Sequence, residues 1–177
     1  MIQNNSVSVI MCVYNGEQFL LDQIESIKCQ TLQPDEVTIY DDCSDDSSVN
    51  ILVDFISKNN LESTWKVIKN KTRKGWRLNF YDALSECDSD YIFFCDQDDI
   101  WYHDKIEIMT NVMRNNQNIL VLNGLIETIN STGHPINVMN WTKDNVYNGN
   151  IINMDFGDII FNWKIRIGCC KIGRAHV

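Results

Sequence analysis

Two hydrophobic periods alternate along the first two-thirds of the chain, and together they leave few folds open. Ser6 to Val13 is apolar and β-branched, the pattern of a buried strand, and Tyr14-Asn15-Gly16 breaks it. Leu20, Ile24 and Ile27 then recur at helical spacing through about Gln30. Pro34 closes that connection, and Val37 to Tyr40 reads as a second strand. A helix follows with Val49, Leu52, Phe55 and Ile56 on its buried face, with Ser44 or Ser47 able to cap it. Trp65 to Lys69 is a third strand, and Phe80, Ala83, Leu84 and Cys87 mark a third helix. Tyr91 to Cys95 is the most apolar strand, and Ile106, Met109, Val112 and Met113 lie on a fourth helix. Strands exchanged with helices in this way predict an α/β fold: a mostly parallel sheet flanked by helices, in a single domain. Ligands of such sheets bind at the carboxyl ends of the strands.

From Ile119 the rhythm changes. Ile119 to Ile129 reads as a strand pair or one long bent strand, and Ser131-Thr132-Gly133 as a turn. Residues 130–155 read as Asn-rich loop, and Asp158 to Gly168 as a further strand. Lys171-Ile172-Gly173-Arg174-Ala175-His176-Val177 reads like the translation of a sequencing-adapter oligonucleotide. It is set aside from fold reasoning, His176 with it. The domain is therefore taken as residues 1–170, and the natural chain is expected to continue beyond Cys170.

Charge supplies the next constraint. The 177 residues carry a formal net charge of −9, and of the 24 acids 17 are Asp. A negative surface repels phosphate backbones, which argues against nucleic acid as a partner. Nine of the Asp fall in two windows, Asp41 to Asp46 and Asp88 to Asp99. Asp41 to Asp46 and, within the second window, Asp96 to Asp99 follow predicted strands, at the end of the sheet where ligands bind. No apolar stretch approaches the roughly 18 residues that span a bilayer, and the N-terminus lacks the marks of a signal peptide. Seven cysteines without a CxxC pair read as reduced thiols, which places the chain in the cytoplasm, free or peripheral to the inner face of the membrane.

The window Asp96-Gln97-Asp98-Asp99 is the stronger of the two. Like charges about 5 Å apart repel by roughly 3 kcal/mol at an effective dielectric of 20, so such a cluster needs a cation, hydrogen-bond donors or open water. In extended backbone, residues two apart point the same way, so Asp96 and Asp98 can face one ion. Hard carboxylate oxygens suit Mg²⁺ or Mn²⁺ held together with substrate phosphates. An EF-hand fails because Trp101 occupies the required glycine position. In the other window Asp41 or Asp42 could accept a ring N–H of a uracil or thymine base, or could simply order a capping loop. Tyr14 could stack on a base or cover the core. The basic loop (Lys69, Lys71, Arg73, Lys74, Arg77) can meet phosphate or stay solvated. Neither GxGxxG nor GxxxxGK[ST] occurs, and His103 and His134 have no nucleophile partner.

Read together, these segments resemble the family 2 glycosyltransferases of GT-A fold. The resemblance rests on Val7 through Gly16, Gln23-Ile24-Glu25-Ser26-Ile27, Gln30-Thr31, Asp41-Asp42-Cys43-Ser44-Asp45-Asp46 where the family has DDGSxD, and Phe94-Cys95-Asp96-Gln97-Asp98-Asp99-Ile100-Trp101. The last matches the DQDDIW variant of the bacterial rhamnosyltransferase-like branch. The resemblance implies a nucleotide-diphosphate sugar donor, UDP- or dTDP-linked, with rhamnose as one candidate sugar. It implies a glycan or lipid-linked hydroxyl as acceptor, in cell-surface polysaccharide synthesis. It puts Asp42 and Tyr14 on the pyrimidine, Cys12 in the base pocket and Asn79 near the nucleotide. Asp96 reaches both nucleotide and metal, and Asp98 is the more direct ligand of a divalent cation, Mn²⁺ or Mg²⁺. The general base of an inverting transfer is expected beyond residue 170.

Two departures follow. Cys43 stands where the family has Gly, so that turn must form with a side chain present. A chain without the base could equally be a non-catalytic nucleotide-sugar-binding module or an inactive fragment. A receiver-type signalling domain also clusters Asp on a parallel sheet, but its acidic pair should follow the first strand, where Tyr14-Asn15-Gly16 stands.

Overall fold

The computed structural model describes residues 6–117, 119–124, 127, 129–130 and 134–135, and the backbone of 170–173. In chain order the elements are β1 (Val7–Val13), α1 (Leu20–Lys28), β2 (Glu36–Asp41), α2 (Ser48–Lys58) and β3 (Trp65–Lys69). They continue with α3 (Trp76–Glu86), β4 (Tyr91–Cys95), α4 (Lys105–Asn115), β5 (Val121–Asn123) and β6 (Cys170–Gly173). The sheet order is β3-β2-β1-β4-β6-β5. The first four strands are parallel, in register Val9↔Val37, Val37↔Trp65 and Val9↔Phe93. β6 runs antiparallel to both β4 and β5.

Period-two alternation divides the core between the two faces of this sheet. Val7, Val9, Met11 and Val13 of β1 join Val37, Ile39 and Phe93 against Leu20, Ile24 and Ile27 of α1, Leu52 and Phe55 of α2 and Ile106 and Met109 of α4. Ile10, Tyr40, Ile92 and Phe94 face the other way, onto Phe80 and Ala83 of α3. This division follows from connection handedness. Right-handed crossovers from β1 to β2 and β2 to β3 put α1 and α2 on one face. The return from β3 across β1 to β4 puts α3 on the opposite face. Each fully buried Leu, Ile or Phe contributes roughly 1.5–3 kcal/mol.

Four details depart from the sequence expectations. Val112 is 36% exposed, whereas Thr110 is fully buried on the inward face of α4 beside Met109 and Met113. In the segment read as strand from Ile119 to Ile129, the described extended backbone is β5 and an isolated bridge between Ile129 and Pro135. Neither Ser44 nor Ser47 caps α2 with its side chain: Asp46 Oδ1 accepts from the Ser48 N–H at 2.9 Å, and the Ser44 hydroxyl accepts from Asn15 N–H instead. Cys170–Gly173 overlaps the segment set aside from fold reasoning, yet it forms β6 between β4 and β5. Strand pairing needs only extended backbone with free N–H and C=O groups, so it is indifferent to the origin of the side chains. The expected turn at 131–133 and the strand at 158–168 lie outside the described residues.

Candidate active site

β1 has β2 on one side and β4 on the other, both parallel to it, so the direction in which the chain adds strands to the sheet reverses there. At such a point the loops leaving adjacent strands diverge and open a crevice at the carboxyl ends. Cys12, Tyr14, Asp42, Asp96 and Asp98 all lie at the ends of β1, β2 and β4, and Asn79 lies on α3 behind them.

Most of the first acidic window is spent on holding two loops together. Asn15 Nδ2 donates to Asp45 Oδ1 (2.6 Å), and the Asp45 N–H donates to Asn15 Oδ1 (3.0 Å). The Glu17 N–H donates to Asp46, the Ser47 N–H to Glu17, and the Gly16 N–H to the Ser48 hydroxyl at 2.8 Å. Asp41, fully buried, accepts from the Ser44 N–H. Asn15 and Cys43 have φ of +48° and +66°. The turn that the resemblance assigns to Gly is thus made by a cysteine in the left-handed region, at a cost of about 1–2 kcal/mol. Its thiol donates to the Asn70 carbonyl at 3.4 Å.

Asp42 organises the loop after β3. It is 3% exposed, and its Oδ1 accepts from Asn70 Nδ2 (2.8 Å) and the Lys74 N–H (2.7 Å). Oδ2 accepts from the Gly75 N–H (2.7 Å). Burial alone would raise this carboxyl; the Lys74 and Gly75 amides and the Asn70 and Asn79 side chains outweigh it and hold it below the usual carboxylate range. Two oxygens accept about four bonds, so these donors leave roughly one acceptor position on Oδ2. Asn79 is 1% exposed and accepts from Asn70 Nδ2 at 2.6 Å. The Asn79 amide lies close enough to help depress Asp42, yet its Nδ2 meets no acceptor at hydrogen-bond geometry. The Asn79 amide therefore faces Asp42 without closing a full hydrogen bond on it.

Cys12 sits between the two acidic windows. Its thiol is pushed well above the ordinary range by burial first, then by the negative charges of Asp96 and Asp42. It is a neutral wall of the crevice and not a nucleophile. Tyr14 is half-buried, with the Arg73 guanidinium 3.7 Å from its ring centroid, a cation–π contact that brings the basic loop to the mouth of the crevice. Asp96 is half-buried and Asp98 exposed. Among the described residues no group of three or more His, Cys, Asp or Glu side chains is placed to hold a metal ion. Two carboxylates at a strand end nonetheless fit Mg²⁺ or Mn²⁺ arriving with a diphosphate, because such ions commonly take one or two carboxylates and complete their shell with phosphate and water.

Gln97, the middle residue of the Asp96-Gln97-Asp98 motif, has the most specific geometry here. Its Oε1 accepts from the Tyr14 N–H at 2.8 Å and its Nε2 donates to the Tyr14 carbonyl at 3.2 Å. A Cβ on Gly16 would lie 2.7 Å from that Oε1. Gly16 is therefore the residue that admits the Gln97 side chain. β4 ends at Cys95 and residues 97–98 form a turn, so the extended backbone expected to align Asp96 with Asp98 is not what the structure has, and no local pattern names a partner 83 residues distant.

A parallel α/β domain with acidic loops gathered at its switch point has relatives among sugar transferases. Residues 8–176 match Glycosyl transferase family 2, and the chain belongs to that family. It is 37% identical over 101 residues to the dTDP-rhamnosyl transferase RfbG of Shigella flexneri, covering 55% of this chain and 34% of that protein. It is 33% identical over 125 residues to the UDP-Glc:alpha-D-GlcNAc-diphosphoundecaprenol beta-1,3-glucosyltransferase WfgD of Escherichia coli, covering 71% of this chain and 47% of WfgD. The crystal structure of S. aureus TarS 1-349 in complex with UDP superposes with a TM-score of 0.56 at 25% identity, covering 63% of this chain and 33% of TarS 1-349. The chain thus spans less than half the length of each of these proteins.

Proposed function

We propose that the protein transfers a sugar from a pyrimidine-nucleotide diphosphate donor, UDP- or dTDP-linked, to a hydroxyl of a glycan or lipid-linked acceptor, with inversion and with a divalent cation. The observation that carries this reading is the pairing of Asp42 and Asn79. Asp42 keeps about one open acceptor position, and the Asn79 amide beside it, which helps hold the carboxyl down, closes no full hydrogen bond through Nδ2. A uracil or thymine offers the matching ring N–H and carbonyl edge. Support for a pyrimidine also comes from the relatives, since RfbG is named for a dTDP sugar and TarS was crystallised with UDP.

Tyr14 would pack against the base, and Cys12 would line the pocket without reacting. Asp96 and Asp98 would hold Mn²⁺ or Mg²⁺, whose chemistry at that place is to neutralise charge on the departing diphosphate. The acceptor hydroxyl oxygen bonds to the anomeric carbon while the bond from that carbon to the diphosphate oxygen breaks. A carboxylate general base takes the hydroxyl proton. The relatives' names fit polysaccharide assembly, and the setting proposed for it is the cytoplasm, free or at the inner face of the membrane. No helix among the described residues is long and apolar enough to cross a membrane.

The test is thermal unfolding of the 177-residue chain with UDP, dTDP or GDP, each with Mn²⁺ or EDTA. A ligand at 100 times its Kd stabilises by about 2.7 kcal/mol. The expected result is a shift for UDP or dTDP that exceeds the shift for GDP. Mn²⁺ should enlarge it, and Asp98→Asn should remove the Mn²⁺ increment. No shift with either pyrimidine nucleotide would overturn the donor assignment. A shift unchanged in EDTA and in Asp98→Asn would overturn the metal assignment alone.

A further inference from the structure

We infer that Gln97 is a positioning residue that lets the acidic loop after β4 set the orientation of Tyr14, so that the metal side of the crevice governs affinity for the base. The inference rests on the nucleotide reading above and assigns a residue that reading did not use. Gln97 stands between Asp96 and Asp98, the two carboxylates assigned to the metal. Yet its amide closes a two-point hydrogen bond on the main chain of Tyr14, the residue assigned to the base. The neighbouring loop is arranged around this contact. Gly16 has no side chain where a Cβ would meet Gln97 Oε1 at 2.7 Å and Cδ at 2.8 Å. The Gly16 N–H is in turn tied to Ser48 at 2.8 Å, so the turn cannot move aside without losing a buried bond.

On the other flank, Arg73 lies 3.7 Å from the centroid of the Tyr14 ring. The Tyr14 backbone is thus pinned from one loop and its ring covered from another, and Gln97 is the pin. A main-chain segment held at both its N–H and its C=O keeps one orientation of its side chain. Releasing both bonds leaves two polar groups seeking other partners and frees the ring. Binding sites held by a supporting hydrogen bond lose affinity when it goes, because the orientation must then be ordered on binding.

The experiment measures binding of uridine and thymidine, which carry no phosphate and so cannot report on metal directly. They are titrated into the 177-residue chain in EDTA, with Gln97→Met as the variant that keeps length and loses both hydrogen bonds. Nucleoside affinity should fall about tenfold, less than two ordinary hydrogen bonds lost outright would give, because these bonds order Tyr14 and do not touch the nucleoside. In a Tyr14→Ala background, Gln97→Met should have no further effect, because its influence passes through Tyr14; a merely structural role would make the two losses additive. Gly16→Ala approaches the same contact from the other loop and should reproduce the tenfold loss, which keeps the test open if Gln97→Met fails to fold. Unchanged nucleoside affinity in folded Gln97→Met, or additive losses with Tyr14→Ala, would overturn the positioning role while leaving the nucleotide reading standing. Absence of uridine, thymidine and UDP binding to the wild-type chain would overturn the nucleotide reading and the positioning role with it.

Discussion

At the scale of single residues, the crevice is built by spending carboxylates on the chain itself. Asp41, Asp42, Asp45 and Asp46 all accept from backbone or side-chain N–H groups. Asp42, nearly fully buried, accepts from separate donors on each oxygen and keeps an acceptor position to spare. Its depressed native pKa has a thermodynamic consequence. Above the unfolded value of about 3.9 the hydrogen-bonded carboxylate stabilises the fold in full, and that contribution is lost as pH falls through the lower native value. Asp42→Asn should therefore destabilise by about 2 kcal/mol at pH 7, from weakened bonds to Lys74 N–H and Gly75 N–H. The deficit should shrink as the wild type is protonated. Urea unfolding at pH 7 and pH 3 checks this; equal deficits at the two pH values would show that the charge is not what the loop uses. The position of this residue was legible in the sequence because it ends a strand before a polar run. Its three intramolecular donors were not, since they come from a loop 28 to 33 residues away.

At the scale of elements, the helices are capped by neighbours more than by their own termini. The N-caps of α1, α2 and α4 make no side-chain capping bond. For α4 the work is done from the segment just after α1: Gln30 Oε1 accepts from the Ile106 N–H (3.0 Å), while Gln30 Nε2 donates to the Ser26 and Tyr102 carbonyls (3.0 and 2.8 Å). Thr31 adds its N–H to the His103 carbonyl at 2.8 Å. Gln30 is 4% exposed, so Gln30→Ala leaves buried groups without partners and should cost about 2–3 kcal/mol. Amide exchange in the first turn of α4 should rise more than in α1 or α2, and uniform exchange across the three helices would refute the capping role. Helix existence was legible because periodicity is local; the buried stripe of α1 is the one the spacing indicated, and that of α2 differs only at its start, where Ser48 is buried and Val49 half-buried. The capping was not, because Gln30 and Ile106 are 76 residues apart. Val112 shows the same limit: its spacing fits the buried stripe, but the space beneath the sheet is filled by Met109 and Met113, with Thr110 beside them.

The whole molecule is a sheet that changes character at β4. Four parallel strands carry the site, and beyond them β6 and β5 run antiparallel. β6 covers the free edge of Tyr91–Cys95, whose side chains are all buried, and it is the link by which β5 joins the sheet. An apolar strand with an open edge is a template for intermolecular pairing. Deleting residues 170–177 should therefore lower the melting temperature and raise light scattering at 37 °C. Unaltered scattering with an unaltered melting temperature would mean that β6 protects nothing. The parallel half was legible from alternating periods alone. β6 was not, since a four-residue pairing through main-chain groups carries little side-chain signature.

The central place of β1 also has a consequence in time. Its partner on one side follows closely, with Val7 bonded to Asp35 across 28 residues, while on the other Ser6 meets Asp90 across 84. Closing the longer loop costs more entropy and comes later, so β1 and β2 can pair before β4 arrives. At roughly 5–20 residues per second of synthesis, several seconds separate the emergence of Asp35 from that of Asp90. During that interval Val7–Val13 has one open flank, and Tyr14 has no Gln97 to hold it. The crevice is thus the last part of the parallel sheet to be completed, and the nascent chain passes through a stage with the core strand's edge uncovered.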